Sequence, residues 1–178
     1  MSDLVSSAEF REALAHFASG VTVVAARDAR GLVGFTATGF TSVSLSPPLV
    51  LVCVGKKASV HDRIVGAELF GVSVLAERQA WIAERFARPG IDRFLDVPLA
   101  NDGFPRTPRI DGAIARLECS RHAHHDAGDH TILVGKVLSG AIEGGRPLVH
   151  FARRYGGFIA EAQPALDGSK DVSRGGEA

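Results

Sequence analysis

Four short stretches carry residue types that can do chemistry. The first, Phe35-Thr-Ala-Thr-Gly-Phe40 with Thr41-Ser-Val-Ser44 after it, sets small hydroxyl residues beside a glycine. Such a stretch lets backbone amides approach a flat polar ring and donate to its heteroatoms, although Thr and Ser equally suit plain strands and turns. The second, Lys56-Lys57-Ala58-Ser59, stands at an expected helix start. Free amides there, a hydroxyl and two ammonium groups make an anion site suited to phosphate; the alternative is a solvated basic loop before an ordinary N-cap. The third is His122-Ala-His-His-Asp-Ala-Gly-Asp-His130. His122 and His124 would share one face of a strand near Asp126 and Asp129, which admits zinc but lacks a defined ligand spacing. A single histidine after a Gly-Asp turn can instead meet a substrate or cofactor. The fourth, Pro147-Leu-Val-His-Phe-Ala-Arg-Arg-Tyr155, offers an aromatic ring and two guanidinium groups to a planar or phosphorylated ligand, or simply gives an edge strand a charged face.

The elements that must hold these stretches follow from periodicity and punctuation. Ser6 with Glu9 forms a capping box, and Phe10, Ala13, Leu14, Phe17 and Ala18 recur at helical spacing until Gly20. Residues 21–26 and 32–38 read as a β-hairpin across a turn at 27–31. The apolar run 49–54 after Pro47-Pro48 suits a strand covered on both faces. Ser59 can cap a short helix ending near Gly66; 69–75 is a strand, and 77–87 a helix stopped by Pro89-Gly90, with Trp81 packing one face. From 88 to 112 four prolines and three glycines predict a long structured loop or lid. Strands are expected at 113–122, 130–138 and 148–151. Many short strands with few helices argue for a β-barrel rather than a doubly wound sheet. One domain over 1–162 and a disordered polar tail over 163–178 are expected.

Composition removes several function classes. The chain has 178 residues, 46% of them apolar, with 20 basic and 20 acidic side chains, so its formal charge is zero. That balance gives no broad electrostatic footprint for nucleic acid or an anionic membrane. The apolar run 49–54 is far too short to span a bilayer. Cys53 and Cys119 stand apart with no C-x-x-C spacing, look like packing residues, and fit a reducing, cytoplasmic setting. Dinucleotide G-x-G-x-x-G, P-loop, G-x-S-x-G and H-E-x-x-H motifs are all missing.

Taken in order, Gly20-Val-Thr-Val-Val24, the stretch from Gly34 to Cys53, Gly128-Asp-His130 with Gly135, and Pro147 to Tyr155 resemble the short-chain flavin reductases, the reductase components of two-component flavin-dependent monooxygenases. The resemblance runs from about Phe10 to Phe158. It implies a mainly β protein with a few short helices, a split β-barrel of the FMN-binding type, and a homodimer. It implies hydride transfer from NADH or NADPH to FMN or FAD, the reduced flavin passing to a partner monooxygenase. Thr36, Thr38, Gly39, Phe40, Ser42, Val43 and Ser44 would line the isoalloxazine and ribityl chain. Cys53 and Val54 would end the strand beside it. Lys57 and Ser59 would take the phosphate, with a one-residue shift leaving Lys56 as the other choice. Phe86, Ala87 and Phe94 would close over the cofactor. His130 would meet the nicotinamide, with Arg153 and Tyr155 in the same cleft. Ser73 stands where many relatives carry Asn. No nucleophile and no metal are expected, since flavin and nicotinamide carry the chemistry. A non-enzymatic flavin-binding or electron-carrier module on the same barrel is the runner-up, and a zinc domain built on His122, His124 and Asp126 is third.

Overall fold

The computed structural model describes residues 5–101 and 106–160. The tail expected from 163, the domain's end at 162 and four residues of the Pro/Gly-rich loop lie outside these.

The capping box at Ser6 forms: its Oγ accepts from the Glu9 backbone N–H at 3.2 Å, and the Glu9 carboxylate accepts from the Ser6 N–H at 3.0 Å. The Ser6 hydroxyl, donating to the Glu9 carboxylate at 2.6 Å, and the Ser6 N–H hold that carboxyl below its ordinary range. Helix α1 (Ser7–Ala15) is shorter than its apolar stripe, and none of its residues is buried. Phe10 and Leu14 are more than half exposed, and Phe17 beyond the helix is 73% exposed. The 3.6-residue period made the helix; the rest of the described chain does not cover its stripe.

The other elements are β1 (Ser19–Gly20), β2 (Thr22–Asp28), β3 (Gly31–Ala37), β4 (Phe40–Leu45), β5 (Pro48–Gly55), α2 (His61–Gly66), β6 (Leu69–Val74), a 3-10 turn (Glu77–Gln79), α3 (Ala80–Ala87), β7 (Ala115–Ala127), β8 (His130–Ile142), β9 (Leu148–Phe151) and β10 (Arg154–Gly157). The described residues are therefore mainly β with three short α-helices. All pairings are antiparallel, in a seven-stranded sheet ordered β3-β2-β6-β7-β8-β5-β4 and a three-stranded sheet ordered β1-β9-β10.

That order has a geometric consequence. In a flat sheet the two edge strands would lie roughly 29 Å apart, at about 4.8 Å per strand. Yet β3 and β4 are joined by Thr38 and Gly39 alone, which reach no more than about 11 Å. The sheet must roll until its edges approach, although no hydrogen-bonded ladder joins β3 to β4 among the described residues. Inside the roll, Val24, Val33, Val52, Val54, Ile64, Phe70, Val72, Cys119 and Leu133 form one core. A second core of Val21, Val23, Leu75, Ile82, Phe86, Ile110 and Leu148 packs α3 and the long loop against the outside of β2 and β6.

Several expectations are corrected. The polar connection between the last long strands shrinks to Gly128-Asp129, because β7 continues through the histidines to Ala127 and Gly128 supplies the positive φ, +66°, that a tight turn requires. Ser59 does not cap α2: Val60 holds the N-cap position and makes no side-chain cap bond. The strand at 49–54 has one core face, Val50, Val52 and Val54, while Leu49, Leu51 and Cys53 are only half-buried. Trp81 is 48% exposed on α3, so it does not anchor that helix; Ile82, Ala83 and Phe86 do. The small strands β1 and β10 were not foreseen, being only two and four residues long.

The long loop is fastened as a strap by buried polar groups. The Ser73 hydroxyl accepts from the Ile110 N–H at 2.9 Å, so the serine supplies that contact itself. The Glu118 carboxylate, 2% exposed, accepts from Arg106 at 2.9 Å and from the Thr107 hydroxyl at 3.2 Å. A Cβ on Gly71 would lie 2.6 Å from the Pro108 carbonyl oxygen, so only glycine lets the strap lie this close.

Candidate functional site

The expected site residues fall into three neighbouring groups and one separate one. The first group lines the sheet's rolled edges. Thr38 and Gly39 are exposed in the β3–β4 connection, Phe40 is half-buried, Ser42 and Val43 are exposed and Ser44 is half-buried on β4. Because β4 is an edge strand, its outer N–H and C=O groups have no ladder partner, and the register shift between Ser42 and Ser44 leaves Val43 out of the pairing as well. Gly39 lies flat on Cys53: its carbonyl accepts from the Cys53 N–H at 2.8 Å, and a Cβ there would sit 3.1 Å from that of Cys53. Unpaired amides beside a glycine and small hydroxyls are the donor set a flat heteroaromatic ring needs. Val54 points into the core with no exposed surface.

The second group is a groove of about 360 Å³ between β3, α2 and the start of the long loop, lined by Gly34, Ser59, Arg63, Arg93 and Phe94 among others. Phe94 stands edge-on to Phe86, ring centroids 4.9 Å apart, and both rings press on Gly34. Phe86 is fully buried and therefore backs Phe94 rather than facing solvent, while Ala87 is exposed at the end of α3. The Thr36 hydroxyl donates to the Ala83 carbonyl at 2.6 Å, tying α3 to β3.

Two arginines here escaped the sequence reading. Arg63 makes a bidentate ion pair with Asp28, both contacts 2.7 Å, and donates to the Gly31 carbonyl at 3.0 Å. The Arg63 guanidinium holds the Asp28 carboxyl down at about 2. Arg93 donates to the Arg88 and Gly34 carbonyls at 2.8 and 2.7 Å, and burial lowers its basicity. No local pattern joins Asp28 to Arg63, 35 residues on, so only the fold reveals the pair.

The third group is where the β5–α2 turn meets the tip of the β7–β8 hairpin. Gly55 pairs with His130, and the Lys56 N–H donates to the Asp129 carbonyl at 2.9 Å. The Lys56 ammonium is engaged by the Asp126 carboxylate at 2.5 Å and the Gly128 carbonyl at 2.7 Å, holding the Asp126 carboxyl low. Lys57 and Ser59 stay exposed beside it. His130 is half-exposed with its Nδ1 2.7 Å from the Asp129 carboxylate, whose pKa that bond lowers. His122, His124 and His125 are exposed on β7, and among the described residues no three His, Cys, Asp or Glu side chains gather to hold a metal. Cys119 is deeply buried with its thiol pushed up to about 12, so it is no nucleophile.

Arg153 and Tyr155 are not brought to this place. They belong to the small sheet, where Ala152 and Arg153 both have positive φ. The Arg153 guanidinium donates to the Glu12 carboxylate of α1 at 2.6 Å, and the Ala152 N–H donates to the Ala15 carbonyl at 2.7 Å. Tyr155 packs on the second core and against His150, and its burial raises the phenol. Among the described residues no hydrogen bond or ring contact links either residue to His130.

Comparison with known proteins gives this arrangement a family. Residues 14–158 match the family described as "Flavin reductase like domain". The chain is 44% identical over 155 residues to the "FMN reductase (NADH) SmoA" of Agrobacterium fabrum, spanning 86% of this chain and 87% of that one. It is 46% identical over 148 residues to the reductase component of a 4-hydroxyphenylacetate 3-monooxygenase from Thermus thermophilus, spanning 82% and 93%. Among solved structures it superposes with a TM-score of 0.83 and 37% identity on the Streptomyces globisporus NADH:FAD oxidoreductase SgcE6 in complex with NAD and FAD fragments, covering 91% of this chain and 100% of that one. The chain belongs to the flavin reductase-like family.

Proposed function

We propose that the protein is an NAD(P)H:flavin oxidoreductase that reduces FMN or FAD and releases it to a partner monooxygenase. The observation that carries this is that the β3–β4 connection and the start of the open-edged strand β4 lie against Cys53, two residues before Gly55, which pairs with His130 and leads to the exposed Lys57 and Ser59. The bound flavin supplies a ring that takes two electrons as hydride from the nicotinamide. Everything else falls to the chain. The backbone of Thr38, Gly39, Ser42, Val43 and Ser44 orients the ring, flanked by Phe40 and Cys53, while Thr36 and Val54 hold the wall behind it. Lys57 and Ser59 take the phosphate; Lys56 is already committed to Asp126 and Gly128. Phe94, backed by Phe86 and Ala87, covers one side of the groove and excludes water. His130, held by Asp129, steadies the nicotinamide so that donor and acceptor meet at reacting distance. That the donor set matches the ring and its phosphate is the fit a flavin requires.

The rolled sheet is a split barrel, and the protein acts as a homodimer in the cytoplasm. Two exposed apolar positions support the dimer: Leu45, 93% exposed at the end of β4, and Ile142, 88% exposed at the end of β8. Single chains seldom leave such residues in water beside an unpaired strand edge. In the dimer the partner covers α1 as well, and Arg153 and Tyr155 complete the nicotinamide cleft from the small sheet. Sedimentation of the Leu45→Glu, Ile142→Glu double variant is expected to show monomers where the natural chain shows dimers; unchanged sedimentation rejects this interface.

The reaction is tested by mixing purified protein with NADH or NADPH and each flavin. Nicotinamide absorbance falls and cytochrome c is reduced by the released product if the reading is right. No oxidation of either nicotinamide with either flavin defeats it.

A further inference from the structure

His61 is a histidine with a mostly covered ring that the reaction does not use. Its side chain is 17% exposed, and both ring nitrogens are engaged. Nδ1 lies 2.8 Å from the Asp62 carboxylate, and Nε2 lies 2.9 Å from the Thr131 hydroxyl. An ionised carboxylate only accepts, so Nδ1 carries the proton. In the neutral ring Nε2 then has a lone pair, and the Thr131 hydroxyl donates to it. Thr131 is 6% exposed and follows His130 directly on β8; His61 follows the exposed Lys57 and Ser59 at the start of α2.

We propose that His61, through Thr131, is a positioning residue that fixes His130 relative to the β5–α2 turn, and so fixes the nicotinamide relative to the flavin phosphate. The inference rests on the placement of His130 at the nicotinamide. Three further contacts, all from Lys56, reach the same hairpin tip from the other end of the turn: its N–H to the Asp129 carbonyl, and its ammonium to Asp126 and Gly128. The turn is thus pinned at both ends, with Lys57 and Ser59 between the pins. Of the two, the His61 contact is the better shielded, because Lys56 and Asp126 meet at the surface. Losing the Thr131 contact frees the strand beside His130 to shift against the turn, and a displacement of that kind is felt by hydride transfer more than by flavin binding.

The experiment compares His61→Phe, which keeps a ring but removes the acceptor, with Thr131→Val, which keeps the shape but removes the hydroxyl, and with the double variant. Flavin Kd comes from fluorescence quenching, kcat and KM for NADH from initial rates. Each single change is expected to lower kcat/KM for NADH by about tenfold while flavin Kd moves less than about twofold. The double variant is expected to be no worse than the worse single, because both remove one bond. His61→Gln, whose side-chain oxygen can accept from Thr131, recovers most of the loss. Multiplying losses in the double variant, a parallel loss of flavin affinity, or wild-type kinetics for His61→Phe would each overturn the proposal. Should His61→Phe fold poorly, Thr131→Val and His61→Gln decide it. His130→Ala separates the two readings: if it leaves NADH kinetics unchanged, the placement of His130 fails; if it impairs them while Thr131→Val does not, only the His61 link fails.

Discussion

The rim that carries the proposed flavin residues and the small sheet that carries Arg153 and Tyr155 differ in how they are held. At the rim nearly every polar side chain is bonded to a different element: Thr36 to α3, Arg63 to the β2–β3 turn, Arg93 to β3, Lys56 and His61 to the β7–β8 hairpin. Lys57, Ser59, the Thr38 and Ser42 hydroxyls and the outer amides of β4 face the solvent. The small sheet is the reverse. Its Arg153 is paired with Glu12 on a helix that buries no residue, and the apolar side chains of that helix face outward. One region is held by bonds within the chain; the other leaves an apolar helix face uncovered among the described residues.

Four measurements sharpen or break this contrast. The largest effect is expected for Phe86→Ala at the rim, because that ring is fully buried between α3 and β3. It should lower unfolding free energy by about 3–5 kcal/mol in denaturant titration and weaken flavin binding by unseating Phe94. A loss as small as a surface change would show the rim is not a fixed platform. Next, His130→Ala is expected to raise KM for the nicotinamide by about tenfold, roughly 1.4 kcal/mol, with flavin Kd nearly unmoved; equal losses would give His130 a purely structural role.

Third comes the Asp28–Arg63 pair beneath the groove. Its carboxyl sits at about 2 in the folded protein, against about 3.9 in an unfolded chain. The pair therefore stabilises fully above about pH 4, and its contribution drains away as pH falls toward 2. Thermal midpoints of the natural chain and Asp28→Asn should differ at pH 6 and converge across that window; a constant gap would assign the effect to packing. The smallest change is expected from Glu12→Gln, which breaks an exposed pair worth less than about 1 kcal/mol. A large destabilisation there would mean the small sheet is as firmly held as the rim.

Much of this was legible because it is local. The Ser6–Glu9 box, the 21–38 hairpin and the β5 strand lie within short windows whose period declares them. The flavin stretch was legible as an ordered set of segments, which carried the family and with it the expected ring, phosphate and nicotinamide residues. Misreadings came where a long-range partner decides. Five residues of polar, histidine-rich chain, 123–127, became strand because β8 pairs with each of them. Ser59 does not cap α2 because the helix starts one residue later than its hydroxyl would need, with Val60 at the N-cap position.

What the sequence determined by itself was therefore the set of elements, the chemistry-bearing stretches and the family. These depend on neighbours a few residues apart and on an order that one dimension preserves. Only the tertiary structure decided which lysine is bonded to the hairpin and which is exposed, which phenylalanine faces the groove and which supports it, and where Asp28 meets Arg63. Those outcomes turn on contacts between residues 35 to 72 positions apart, and a hydrogen bond or ion pair is sensitive to ångströms of separation in space rather than to distance along the chain.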